Sequence, residues 1–445
     1  MPLARIALAV LLAGLTRPAL AQPATPASPG ADDAWIATAR DDLSSLYTHL
    51  HANPELSNQE VKTGERIADE LEKAGAKVTR HIARTGAVGV IENGPGPVVL
   101  VRTDIDALPV VERTGLPFAS KARATNPQGQ DVGVMHACGH DVHMTCFVGT
   151  ARWLASHRDR WKGTVVLIAQ PAEEAIGGAR DVLADGLYTR FPRPNFALAL
   201  HCQATEPAGH VYYRPGPLLA SSTSMTVTIR GKGGHGAWPH RTVDPIVLAS
   251  LAVLDFQTIV GREVEPIQPA VVTVGSIHGG NKHNVIPDEV KLQLTLRAFS
   301  EPVRLQLIEG IERRVKALAE AHRAPAPTVE IDEFAPATIN DPDLTARVVP
   351  SLESALGAEH VHATDPVMGS EDFSRYAEGG VPIMMFWVGT QPADRLAAAK
   401  AKGEALPSLH SALFFPDAGP TIAAGIKAMT GAVVGLLPTG GPAKD

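Results

Sequence analysis

The apolar residues of this chain fall into three kinds of pattern, and each predicts a different element. "PVVLVRTD", "GTVVLIAQPAEE" and "NFALALHCQ" are nearly continuous apolar runs that end in polar residues. Strands covered by helices on both faces read this way, because neither face meets water. "SMTVTIR" and "KLQLTLR" alternate instead, with Met225, Val227 and Ile229, or Leu292, Leu294 and Leu296, on one side. Lys291, Gln293, Thr295 and Arg297 oppose the latter set, which predicts an antiparallel sheet with one face open. Helical spacing marks "VHMTCFVGTARWLA", "DPIVLASLAVLDFQTIV" and "EPVRLQLIEGIERRVKALAEAHR"; the last two predict helices over the covered face of that sheet. After "RAPAPTVEIDEF" the chain returns to a continuous run, "VPIMMFWVG", and a final helical segment.

These changes of pattern predict a two-domain α/β protein. Residues 34–216 and 335–440 form the larger α/β domain, and residues 217–334 form a small α+β domain inserted into it. A chain of 445 residues is long for a single core, which supports the division. At the start, Arg5 precedes an apolar run from Ile6 to Leu15, and Ala19-Leu20-Ala21 precedes Gln22. This is the pattern of a cleaved secretory signal over residues 1–21, followed by a flexible leader over 22–33. The expectation is a periplasmic or secreted protein cleaved near Ala21, with no membrane span in the mature chain.

Charge and cysteine content narrow the partners. A net charge of −7 with mixed signs offers no basic stripe, so no nucleic-acid partner is expected. The three cysteines, Cys138, Cys146 and Cys202, are an odd number for an oxidising compartment. At least one is free, shared between chains or metal-bound, and Cys138 fits the last role best. Cys146 lies within a helical pattern and reads as a small buried apolar residue.

Candidate chemistry gathers at strand ends. Asp104, Asp106, Glu173, Glu174 and His201 fall at or just past the ends of the continuous runs, the edge where open α/β sheets build their sites. In "MHACGHDVHM", Cys138 and His140 stand one residue apart, so a loop brings both side chains to one point where a regular helix would spread them. Asp141 reads as the start of the helix that follows. Adjacent acids such as Glu173-Glu174 are ordinarily a solvated pair, but here they follow a buried strand and a proline. One of two such carboxylates can bind a cation while the other acts as a general base. His410, in "LPSLHSALFF", carries no signal from pattern alone.

Taken together, "RTDIDALP", "MHACGHDVH", "QPAEE", His201, "GKGGHGAWPH", "NVIPDEV", "GSEDF" and "LHSALF" resemble, in order, the motifs of the M20 metallopeptidase superfamily. They are most similar to its amidohydrolase branch, which includes hippurate and auxin-conjugate hydrolases. The resemblance implies two divalent metal ions per subunit, bridged by Cys138 as a thiolate. One ion adds Glu174 and His410, the other His140 and His201, with Asp106 and Asp141 behind these ligands. It implies that Glu173 takes the proton of a metal-activated water and passes it to the departing amine. It also implies a homodimer or higher homo-oligomer, in which His235 reaches the partner's site to stabilise the oxyanion. Asn284 and Arg297 match residues of the inserted lid and dimerisation domain that hold a substrate carboxylate. Zinc and manganese head the candidate metals, with cobalt and nickel behind them.

The function expected is therefore an exported amidohydrolase that splits small-molecule N-acyl amino acids. The alternative within the superfamily is an aminopeptidase or dipeptidase, for which the sequence shows no acidic residue clearly placed to bind a free α-amine. A non-catalytic metal-binding protein is a third reading, and Glu173 counts against it because storage has no use for a base beside a ligand.

Overall fold

The computed structural model describes residues 30–439. Residues 1–21, read above as a secretory signal, and most of the expected leader lie outside the described residues. Where the leader is described, it is not loose. Ala31 is buried, its N–H donates to Thr430 Oγ1 at 2.9 Å, and Asp32 caps the first helix by accepting from the N–H of Trp35. Residues 31–33, expected to belong to a flexible leader, are thus packed into the fold.

In chain order the main elements are α1 (Asp33–Ala52), α2 (Val61–Lys73), β1 (Lys77–Ile82), β2 (Gly86–Asn93), β3 (Val98–Asp104) and α3 (His140–Ser156). Then come β4 (Gly163–Gln170), β5 (Phe196–Pro207), β6 (Val211–Tyr213), β7 (Ser221–Arg230), α4 (Pro245–Arg262), β8 (Ala270–His278) and β9 (Glu289–Ala298). The chain closes with α5 (Glu301–Ala321), β10 (Thr328–Ala335), α6 (Pro342–Leu356), β11 (Val361–Ala363), β12 (Ile383–Gln391) and α7 (Ala418–Leu436).

An eight-stranded mixed sheet takes the order β1-β2-β4-β3-β5-β12-β6-β11. Its centre, β4-β3-β5-β12, is parallel. Those strands are the continuous apolar runs, and both faces are covered, one by Trp161, Phe147 and Phe386 among others, the opposite one by Phe373, Tyr376 and Met385. The antiparallel hairpin β1-β2 extends one side of this sheet.

A separate four-stranded sheet, order β8-β9-β7-β10, is antiparallel throughout. Burial along β9 alternates strictly over its first six residues, matching the alternation in its sequence. Met225, Val227, Leu292 and Leu294 meet Phe256 of α4 and Leu307 of α5 in a second core. The opposite face is polar and open. Removing Phe256 would cost about 3–5 kcal/mol, as for other fully buried aromatics.

Beyond residues 1–21, two helices reach membrane length. Helices α4 and α7 are both long and apolar enough to span a bilayer by length and composition. Each has a reason to be apolar within the fold: α7 lies between α3 and α6 in the large domain, and α4 lays one face on the four-stranded sheet.

Candidate metal centre and active-site cleft

Gly139 makes the convergence of Cys138 and His140 possible. Its φ is +85°, and a Cβ there would lie 2.8 Å from Cys202 Sγ, so glycine is required on both counts. This left-handed residue caps α3, whose first residue is His140. Asp141 therefore stands inside the first turn and does not serve as its cap. Its carboxylate accepts from the N–H of Val142 and lies 2.7 Å from His51 Nδ1. His51 in turn lies 3.1 Å from Glu112. Burial works to lower the His51 pKa, but these two carboxylates together raise it to about 10. Asp141 thus anchors the helix to α1.

Around Cys138, His410 Nε2 lies 3.2 Å and His201 Nε2 3.5 Å from Sγ. His410 Nε2 is 3.4 Å from Glu174 Oε1, and His140 Nε2 is 3.9 Å from the same oxygen. The five expected ligands therefore form one cluster. His140 Nε2 also lies 4.0 Å from Glu173 Oε2. His201 does not end its strand as expected, because β5 runs on to Pro207 against β12. Its other neighbour, β3, pairs with β5 only as far as Ala199, and that termination opens the site.

Two of the three imidazoles, those of His140 and His201, are oriented from behind. His140 Nδ1 donates to the Asp106 carbonyl at 2.8 Å, and His201 Nδ1 donates to the Cys202 carbonyl at 2.8 Å. That fixes the tautomer with Nε2 facing the cluster, the arrangement expected of histidines that bind metal. Asp106 holds the next layer: Oδ2 accepts from Ser57 Oγ at 2.6 Å and from the N–H of Glu174 at 3.0 Å. The loops carrying the ligands are strained, with positive φ at Ala172 (53°), Ile176 (54°) and His410 itself (66°). Non-glycine residues persist there only where the surroundings hold them.

The donor chemistry suits divalent cations. His140 Nε2 and Glu174 Oε1 are buried and lack any hydrogen-bond partner, a costly state that a shared cation would relieve. The electrostatics agree. Burial, then Glu174, Glu173 and Asp104, push the Cys138 thiol well above its ordinary range. Burial opposes charge on His140, yet Asp104, Asp106 and Glu174 raise its pKa to about 10. A proton held that firmly marks a position where positive charge is wanted.

Beneath the cluster lies a charge network whose roles the sequence reading did not assign. The Arg102 guanidinium, wholly buried, reaches Asp104 at 2.7 Å, Glu371 at 2.8 Å, Asp372 at 3.2 Å and Gln170 at 2.9 Å. Asp104 also accepts from His143 Nδ1 at 2.7 Å, and His143 Nε2 accepts from the N–H of Cys202 at 2.8 Å. A charged residue inside the apolar run "PVVLVRTD" was the available signal, since a buried arginine requires anionic partners. The "GSEDF" segment supplies two of them. Glu173, also buried, has its pKa pushed well up by burial and then by Glu371, Glu174 and Asp372.

Cys138, Glu173, Glu174, His201 and His410 open into a cavity of about 530 Å³ whose other wall belongs to the four-stranded sheet. Arg297 stands on that wall, donating to Ser370 Oγ at 2.9 Å and to Thr295 Oγ1 at 3.2 Å. It has no carboxylate partner among the described residues. His235 and Asn284 are not brought to this cavity. They sit together on the small domain, where His235 pairs with Val285 and the Asn284 carbonyl accepts from the N–H of Gly236. His235 is exposed and packs on Trp238.

The family model for "Peptidase family M20/M25/M40" matches residues 100–407. The IAA-amino acid hydrolase ILR1-like 2 of Arabidopsis thaliana is 40% identical over 341 residues, 76% of this chain and 74% of that protein. The hippurate hydrolase of Campylobacter jejuni subsp. jejuni serotype O:2 is 34% identical over 341 residues, 76% of this chain and 85% of that protein. Among solved structures, the Bacillus subtilis YXEP protein, described as a dinuclear metal binding peptidase, superposes with a TM-score of 0.73 at 30% identity. It covers 91% of this chain and 99% of its own.

Proposed function

The chain belongs to peptidase family M20/M25/M40, and from that premise we propose that it hydrolyses the amide bond of N-acyl amino acids with two divalent cations per subunit. It is a metal-dependent hydrolase. The finer reading rests on one observation: a cavity that joins the thiolate–imidazole–carboxylate cluster and Glu173 on one wall to the unpaired Arg297 on the other. The relatives named for hippurate and for IAA-amino acids point to the same substrate class.

Cys138, Glu174 and His410 would hold one cation, and Cys138, His140 and His201 the other. Bound there, the cations would polarise the amide carbonyl and acidify a water. Glu173 supplies the proton relay. It is buried, its carboxylate makes no hydrogen bond among the described residues, and its raised pKa lets it take a proton from water and return it to the leaving nitrogen. Arg297 offers a planar cation to the substrate's α-carboxylate. The Asp106 and Arg102 networks hold these groups in place, so they reorganise little during turnover.

His235 and Asn284 act, on this reading, across a homodimer. The exposed apolar face of α4, with Val247 and Leu254, and the edge strand β8 make the small domain the contact surface. Mixing inactive Glu173→Ala and His235→Ala proteins under subunit exchange should restore turnover, because one site in the heterodimer carries neither lesion. No recovery after verified exchange would reject the shared site. Zinc or manganese suits the donor set best. Export through residues 1–21 would leave a mature chain beginning at Gln22, which cell fractionation and N-terminal sequencing would detect. The activity itself is tested by amino-acid release from benzoyl-, acetyl- and indoleacetyl-amino acids against free dipeptides; preference for the dipeptides would overturn the reading.

A further inference from the structure

The edge strand β10 carries an irregularity that changes what the cleft can recognise. Along β7 and β10, Met225 opposes Ile331, while Ser224 opposes Glu333, so Asp332 is an extra residue between the two pairs. Directly opposed residues in an antiparallel pair share a face, and residues two apart on a regular strand do as well. Without the bulge Glu333 would follow Ile331 onto the side of Met225, which lies in the helix-covered core. With it, Glu333 joins Ser224 on the open face, as bulges beside active sites are known to re-aim side chains. Glu333 indeed lines the same cavity as Cys138, Glu174 and Arg297.

Its charge is uncommitted. The carboxylates on the other wall of the cavity, Glu173, Glu174 and Glu371, face the ligand cluster or Arg102. Glu333 is exposed and has no ion pair or hydrogen bond through its side chain among the described residues. Arg297 opposes Ser222, so it lies two strands across and two residues along from Glu333, roughly 12 Å between backbones by ordinary sheet spacings. Both side chains are long and reach into the same space from either side of Ser222 and Ser224. The floor between an unpaired cation and an unpaired anion is thus two hydroxyls.

Building on the amidohydrolase reading, we infer that Glu333 selects substrates whose amino-acid portion carries a basic side chain, with the α-carboxylate on Arg297 and the terminal cation on Glu333. N-acyl derivatives of lysine, ornithine and arginine have this charge pattern. A neutral side chain of equal length would leave the Glu333 carboxylate without a partner.

The test compares kcat/KM for N-acetyl-lysine and N-acetyl-norleucine on the full, metal-loaded enzyme at low ionic strength. A solvent-accessible ion pair predicts a preference for lysine of roughly fivefold, shrinking in high salt. Glu333→Gln should bring the ratio close to one, and Glu333→Lys should turn the preference toward N-acetyl-glutamate. Equal kcat/KM for the two substrates in the wild type, or a lysine preference that survives Glu333→Gln, would overturn the inference while leaving the amidohydrolase reading standing. Glycyl-norleucine is the control for a free α-amine. If it outruns N-acetyl-norleucine and that advantage disappears in Glu333→Gln, Glu333 binds the α-amine and the side-chain assignment is wrong. Failure to hydrolyse any N-acyl amino acid would remove the amidohydrolase reading and this inference together.

Discussion

The parallel centre of the large sheet and the open face of the small one supply opposite walls of a single cleft, and they are built on opposite terms. On the first wall the groups that support the ligand cluster are buried and answered: Arg102 by three carboxylates, His143 by Asp104, His140 Nδ1 by the Asp106 carbonyl. On the second, Arg297 and Glu333 have no partner of opposite charge among the described residues. The difference teaches a division of labour. Reaction chemistry needs groups whose geometry is over-determined, whereas recognition needs charges left free for the substrate.

Breaking the first wall should be the more costly. Arg102→Met leaves Glu371 and Asp372 buried without their cation, and loss of one partner of a buried pair costs about 3–5 kcal/mol. Urea unfolding should show this as a fall in midpoint; an unchanged midpoint would mean the network is not what secures that wall. Next in size, Glu173→Gln should keep its metals and lower kcat by roughly 10²-fold or more, as when a positioned base is lost. Cys138→Ser should instead lose most activity together with at least one bound metal, and two retained metals would rule out a bridging thiolate.

The second wall should respond in KM. Arg297→Ala removes a charge-assisted contact worth about 1.5–3 kcal/mol, so KM for N-acyl amino acids should rise about tenfold or more. The corresponding carboxyl amides should change far less. Equal effects on both would take Arg297 out of carboxylate recognition.

A further effect, on stability alone, concerns pH. His51 has its folded pKa raised to about 10 from 6.5, so its protonated form stabilises the fold. That contribution is complete below about pH 6.5 and is lost as pH rises toward 10. Melting temperature should decline over this window, and His51→Gln should flatten the decline.

The same contrast explains which parts were legible beforehand. Continuous and alternating apolar patterns reported the two sheets directly, because period and burial are written into each strand. Asp104, Asp106, Glu173 and Glu174 followed, since a buried strand must end at a loop, whereas His201 lies inside a strand that runs on to Pro207. Arg102 sat in plain view within an apolar run, yet its partners Glu371 and Asp372 lie some 270 positions away, and no local pattern links them. Glu333 was hidden for a different reason. In "TVEIDEF" it reads as one more polar residue of an exposed edge strand, and only the inserted Asp332 turns it into the cleft. Asp141 does stand in the first turn of its helix, but the left-handed Gly139 two residues earlier, which no side-chain pattern announces, is what caps it. His235 and Asn284 could be placed near a site only by resemblance, and within one chain they stand apart from it.

The central claim is that the clustered thiolate, imidazoles and carboxylates work by holding two cations. The most direct measurement strips the purified protein by prolonged chelator dialysis and verifies its metal content by plasma mass spectrometry. Zinc or manganese is then titrated back while hydrolysis of benzoylglycine is followed. Turnover should vanish with the metal and return to a plateau at two cations per chain. Undiminished hydrolysis by verified metal-free protein would contradict the account.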